Sequence, residues 1–265
     1  MKFSAFSLAA GALALATFSL AGCSKDVAVP QTEFTLHMDN GVATTSTAGI
    51  TTFNSLVLGT GAYKNANGDD FTVSTLRYYI SNVTLKKGDG SSYAVPNSYF
   101  LVDQSNADTQ DLTMTGVPVG DYTGISFVVG VDSARSKAGN FTGVLNADKG
   151  LLWTMNGVNE FINLELKGNS PQARTGALTF HIAGYIHSTT NTIRTVTVPF
   201  PSTNLLIRTD HSPEVHMQVD IAKMFSGPTK IKFADTYNVM GGAPAVQIAN
   251  NIQAGMFTVS HIHAN

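Results

Sequence analysis

The segment Phe71-Thr72-Val73-Ser74-Thr75-Leu76-Arg77-Tyr78-Tyr79-Ile80-Ser81-Asn82-Val83-Thr84-Leu85 is a run of β-branched and aromatic residues and reads as one long strand. Gly88-Asp89-Gly90 follows as a tight turn and leads into a second run, Tyr93 to Val102, so the pair predicts a β-hairpin. The same signature recurs in both directions along the chain. Glu33 to Met38 alternates, with Phe34, Leu36 and Met38 on one face. Further strands are expected at Leu112 to Met114, Tyr122 to Val131, Phe161 to Leu166, Ala177 to His187, Thr192 to Val198, Leu205 to Arg208 and Val215 to Val219. Helical signals are confined to Ile221 to Phe225 and Ala243 to Ala254. Many short strands without the alternating helices of a parallel sheet predict an all-β protein, a single antiparallel β-sandwich with one or two short helices. The stretch Asp132 to Lys149 is expected to be a long irregular loop, of a length that in compact domains is often functional.

The N-terminus reads as an export signal. Lys2 supplies a short basic start, and Phe6 to Leu20 is apolar, uncharged and too short for a stable membrane span. Leu20-Ala21-Gly22-Cys23 has the small residues before a cysteine that a lipoprotein peptidase reads, so residues 1–22 are expected to be a cleaved signal peptide and Cys23 the lipidated residue. Cys23 is the only cysteine, so the mature protein has neither a disulfide nor a thiolate ligand. Residues 23–32 read as a lipid-anchored tether in which Pro30 blocks regular structure, and 33–265 as the folded domain. Ser24-Lys25-Asp26 after the lipid site resembles the export tag of surface lipoproteins, which points to the outer membrane, on its periplasmic face or at the cell surface. Losing the leader removes Lys2 and no acid, so 16 basic residues become 15 against 18 acidic, a formal net charge of −3. That balance excludes nucleic-acid binding, which needs concentrated positive charge to displace counterions from phosphate.

No phosphate-cradling Gly loop, no Gly-x-Ser-x-Gly elbow and no His-Glu-x-x-His is present, so an enzyme is not expected. All seven histidines lie after Cys23. In His261-Ile262-His263, residues two apart on a strand share a face and can reach one metal ion; the same residues also read as a solvated C-terminus. His37 lies on the first expected strand, and His181 on the face opposite Phe180 and Ile182; each taken alone is read first as an ordinary polar-face residue. His187, His211 and His216 are expected to be surface histidines near turns or strand ends. Imidazole and thioether donors without thiolate favour copper, and Met38, Met155 and Met256 stand near histidine segments, although methionine also fills cores. Asp69-Asp70 and the Asp132 to Asp148 stretch offer carboxylates for a structural Ca2+ but lack EF-hand spacing. Trp153, the sole tryptophan, reads as a core anchor between sheets.

Several segments taken together resemble the MbnP-like family of copper-binding proteins, related to MopE and CorA. They are the early strand with His37, then Leu76 to Val83, Tyr99-Phe100-Leu101-Val102-Asp103, Gly120-Asp121-Tyr122, Gly130-Val131-Asp132-Ser133, Gly150-Leu151-Leu152-Trp153-Thr154, Asn163-Leu164-Glu165-Leu166-Lys167-Gly168, Phe180-His181-Ile182 and Met256-Phe257 to His263. The resemblance implies a β-sandwich that binds copper, as Cu(I) or Cu(II), for storage, scavenging or delivery. It implies His37, His181, His261 and His263 as ligands, with Trp153 as the candidate for conversion to kynurenine by a di-haem peroxidase partner of the MbnH type. The family commonly reads Trp-x-Trp where this chain has Trp153-Thr154-Met155, so Met155 is a candidate thioether ligand in place of a second tryptophan. The competing expectation is a metal-free adhesion or glycan-binding β-sandwich lipoprotein, which requires aromatic side chains exposed on one face.

Overall fold

In the computed structural model, which describes residues 31–155, 158–201 and 203–265, side-chain alternation divides about half of the described chain into strands with one buried and one open face. The strands are β1 (Gln31–Thr45), β2 (Thr51–Ser55), β3 (Tyr63–Lys64), β4 (Asp70–Lys87), β5 (Ser92–Ala94), β6 (Tyr99–Asp103), β7 (Asp111–Pro118) and β8 (Gly120–Val129). They continue with β9 (Leu152–Met155), β10 (Val158–Asn169), β11 (Ala177–Ala183), β12 (Arg194–Pro199), β13 (Leu205–Ile207), β14 (Glu214–Asp220), β15 (Asn238–Met240) and β16 (Phe257–His263). Two α-helices are present among the described residues, α1 (Ser133–Ala138) and α2 (Gly242–Gly255). Neither is long and apolar enough to cross a membrane.

The strands form two sheets. The smaller runs β16-β14-β1-β2, with β7 also pairing β1; the larger runs β12-β8-β4-β10-β11-β15, with β13, β3, β5, β6 and β9 joining at its strands. All pairings are antiparallel except β1 with β14 and β11 with β15, so the expected antiparallel sandwich carries two parallel seams. The segment Phe71 to Leu85 is the spine of the larger sheet, since β4 pairs β10 through its first half and β8 through its second. The register with β8 shifts between Ser81 and Thr84, where Asn82 takes a left-handed φ of 52°. Asn tolerates that conformation better than other residues with a Cβ.

One core joins the sheets: Phe34, Leu36 and Met38 of β1 pack in the same cluster as Tyr78 of β4, Phe127 of β8 and Phe180 of β11. Phe71, Phe180, Phe225 and Phe233 pack at one end with edge-on or tilted rings, centroids 4.7 to 6.1 Å apart. The run expected as one strand from Tyr93 to Val102 is divided into β5 and β6, because Asn97 turns the chain with φ 51°. The stretch Asp132 to Lys149 is less irregular than expected. It holds α1 and two 3-10 turns, and Leu145 closes a second apolar cluster with Tyr79, Leu151, Phe161 and Ile162. It covers an outer face of the larger sheet.

Candidate metal centre

Three triplets on the smaller sheet share one pattern, a donor, an apolar residue and a second donor. They are His37-Met38-Asp39 on β1, Glu214-Val215-His216 on β14 and His261-Ile262-His263 on β16. Met38 and Val215 are fully buried and Ile262 packs against the core, so strand alternation turns both flanking donors of each triplet outward. Register then aligns them. His37 sits opposite His216, His216 opposite His261, Glu214 opposite His263, and Asp111 of β7 opposite His37 on the other side. A β-bulge makes the last triplet work. Met217 pairs Val259 while His216 pairs His261, so Ser260 is an extra residue. With Val259 facing the core, unbroken alternation would send His261 and His263 inward; the bulge restores them to the outer face.

The four rings are in contact. His216 and His261 stack at 4.3 Å with planes 9° apart, His263 lies 4.6 Å from His261 and 5.0 Å from His216, and His37 lies 4.9 Å from His216. Three groups of donors have their ligand atoms within 4.8 Å of one another: His216, His261 and His263; His37, Asp39 and His216; and His37, Asp111 and Glu214. His37 has both ring nitrogens on carboxylates, Nδ1 on Asp111 and Nε2 at 3.3 Å from Asp39. His216 does the same, with Nδ1 2.9 Å from Asp39 and Nε2 3.0 Å from Glu214. A neutral imidazole offers one N–H and one lone pair, so a ring held between two carboxylates needs a positive charge, a second proton or a cation, on its other nitrogen. Burial works to lower the His37 pKa. The hydrogen bond to Asp111 and the charges of Asp39, Asp111 and Glu214 outweigh it and raise the pKa above the usual imidazole value. His261 is shifted the other way, by desolvation and by repulsion from His216 and His263.

His37, His261 and His263 therefore converge, and His181 does not join them. His181 is on β11 of the larger sheet, directed away from the core that holds Phe180 and Ile182. It is buried there with Glu165, its Nε2 3.1 Å from Oε1, while Arg77 and Lys167 bind the same carboxylate at 2.5 and 2.6 Å. Trp153 of β9 lies against the His181 ring, centroids 5.5 Å apart, and is half-buried on the outer cluster, so it is no anchor between the sheets. The place expected for His181 is taken by His216, expected to be an isolated surface histidine. Its signal was in the sequence: Glu214-Val215-His216 repeats the spacing of His261-Ile262-His263.

The methionine expectation is corrected for two residues. Met38 and Met256 point into the core, Met38 because it neighbours His37 on a strand and alternation sends it to the opposite face. Cys23 lies outside the described residues, as does the side chain of Met155. The carboxylate of Asp132 is engaged by the backbone N–H of Arg135, Asn82 Nδ2 and the Tyr99 hydroxyl, and neither Asp132 nor Asp148 belongs to a donor cluster among the described residues. A calcium site in this loop thus finds no support in the arrangement. The large apolar side chains exposed among the described residues are Ile50, Val57, Val158, Ile186 and Met240, and none is the aromatic platform a sugar requires.

Fold and site together define a β-sandwich with a histidine- and carboxylate-lined patch on the open face of its smaller sheet. The family model for MbnP matches residues 31–241, so the chain belongs to the MbnP family. A solved structure, MbnP from Methylosinus trichosporium, is similar at 12% sequence identity, covering 87% of this chain and 99% of that one with a TM-score of 0.49. No curated protein matches the chain. The family match ends before β16, so His261 and His263 lie beyond it.

Proposed function

We propose that the protein is a lipid-anchored copper-binding protein of the bacterial envelope, serving storage, scavenging or delivery, and that the cluster of His37, His216, His261 and His263 takes the metal. The observation that carries this reading is the convergence of four imidazoles from three remote strands on one outward face. The donor chemistry fits. Imidazole with neighbouring carboxylate suits Cu(II), which stands at the top of the affinity order for divalent ions on nitrogen and oxygen donors, and no thioether is needed. When bound, copper is the cargo; the chain's own part is to present the rings on rigid strands and to balance the charge with Asp39, Asp111 and Glu214. A di-haem partner acting on Trp153 belongs to the same reading, and the half-exposed indole beside His181 offers such a partner an edge to reach.

Titration of the mature protein with Cu(II), followed by metal analysis after desalting, is expected to retain at least one copper per chain at micromolar affinity or better. His216→Ala, which removes the central ring, should weaken retention at least about tenfold, as loss of a ligand commonly does. Retention unchanged in that variant would overturn the assignment of the site. For the anchor, Cys23→Ala is expected to move the protein from the membrane fraction to the soluble one, because an acyl chain supplies the membrane affinity. A variant that stays in the membrane fraction would remove the lipoprotein reading.

A further inference from the structure

We infer that the patch holds two metal ions side by side rather than one, an extension that rests on the metal-binding reading above. Two of its donor groups share no residue: His216, His261 and His263 make one, and His37, Asp111 and Glu214 make the other. The row His261, His216, His37 and Asp111 crosses four strands, β16, β14, β1 and β7. Strands lie about 4.8 Å apart, so the row is about 14 Å wide at the backbone, whereas metal–ligand bonds are about 2 Å. Among the described residues no group of donor atoms within 4.8 Å of one another holds both His261 and Asp111, so one ion does not engage both ends of the row as the side chains stand.

Charge gives an independent argument. Three carboxylates, Asp39, Asp111 and Glu214, face the patch, and each is paired within 4 Å only with His37 or His216 among the described residues. With neutral rings the patch carries three negative charges and no fixed positive one. One divalent ion leaves one of the three carboxylate charges uncompensated. Two divalent ions compensate all three, with Asp39, which touches both rings, between them. The all-imidazole position suits Cu(II), and the carboxylate-rich position around His37 takes a divalent ion of the copper or zinc class.

The test uses the full mature chain with Cu(II) alone as probe, read by metal analysis and by electron paramagnetic resonance. Wild type is expected to bind two Cu(II) per chain, with the resonance of the first equivalent losing intensity as the second arrives beside it. Asp111→Asn with Glu214→Gln should bind one, with a full and uncoupled signal; His261→Ala with His263→Ala should also bind one. These are surface positions, so melting temperatures near wild type are expected. Saturation of wild type at one Cu(II), unaltered in the Asp111→Asn and Glu214→Gln variant, overturns the two-ion inference and leaves the copper reading standing. No retained copper in wild type overturns both.

Discussion

Glu165→Ala is expected to lower stability by about 3–5 kcal/mol and the melting temperature by about 10 °C or more. Glu165 is 2% exposed on β10, where Arg77 from β4, Lys167 two residues on and His181 from β11 all converge on its carboxylate. Removing the anion leaves a half-buried guanidinium and an ammonium facing each other without a counter-charge, which is the costly way to break an ion cluster. The pH dependence follows with a definite sign. Burial by itself raises the Glu165 pKa, but hydrogen bonds from His181, Lys167 and Arg77, with the Arg77 charge, reverse the shift and hold it at about 2, below the ordinary 4.5. A depressed carboxylate pKa means stability that is fully present above about 4.5 and lost as pH falls toward 2. Thermal melts followed by circular dichroism should therefore show wild type losing stability steeply across that window and Glu165→Ala much less so. A variant within about 1 kcal/mol of wild type, with the same acid profile, would show that the cluster is not worth its burial.

The sandwich was legible because its signals are local. Strand alternation, turn residues and the helical run near the C-terminus each depend on residues within a few positions of one another, and they recur at Phe71 to Leu85, Gly88-Asp89-Gly90 and Ala243 to Ala254. The metal patch was legible only in pieces. His261-Ile262-His263 declares a shared face by spacing, but its partners are chosen by the parallel pairing of β1 with β14 and the antiparallel pairing of β14 with β16. Those registers are set by core packing across the whole domain. Judged one histidine at a time, His216 looks unremarkable and His181 looks equivalent to His37. Only the strand order separates them, placing His216 at the centre of the patch and His181 beneath Trp153 on the other sheet. The bulge at Ser260 is likewise set by pairing, and its one trace in the sequence is the three-residue step from Val259 to Ile262 in an otherwise alternating apolar run. Asn163 to Gly168, which helped to carry the resemblance to the family, lies outside the patch and works on the fold. Asn163 bonds the backbone N–H of Val131 and the hydroxyl of Thr192, and Glu165 gathers the buried charges.

Gly168 ends that stretch, and Gly168→Ala is expected to destabilise the protein by about 3 kcal/mol or more. The register between β10 and β4 slips between Lys167 and Gly168, and the backbones come so close there that a Cβ on Gly168 would lie 1.9 Å from the carbonyl oxygen of Thr72. That atom belongs to a neighbouring strand's backbone, so no rotamer change relieves the contact; β10 or β4 must move, and both are central to the larger sheet. Movement of β10 also disturbs the packing of Leu164 and Leu166, both fully buried, and the seat of Glu165. The control is Gly88→Ala in the hairpin turn. A Cβ there meets only the Thr123 methyl at 3.6 Å, an ordinary contact, and its effect should stay within about 0.5 kcal/mol. Urea denaturation of the two variants separates the explanations. If both gain the same small stability, backbone entropy of the unfolded chain alone is at work. A large loss confined to Gly168→Ala is what the close approach of β10 to β4 requires.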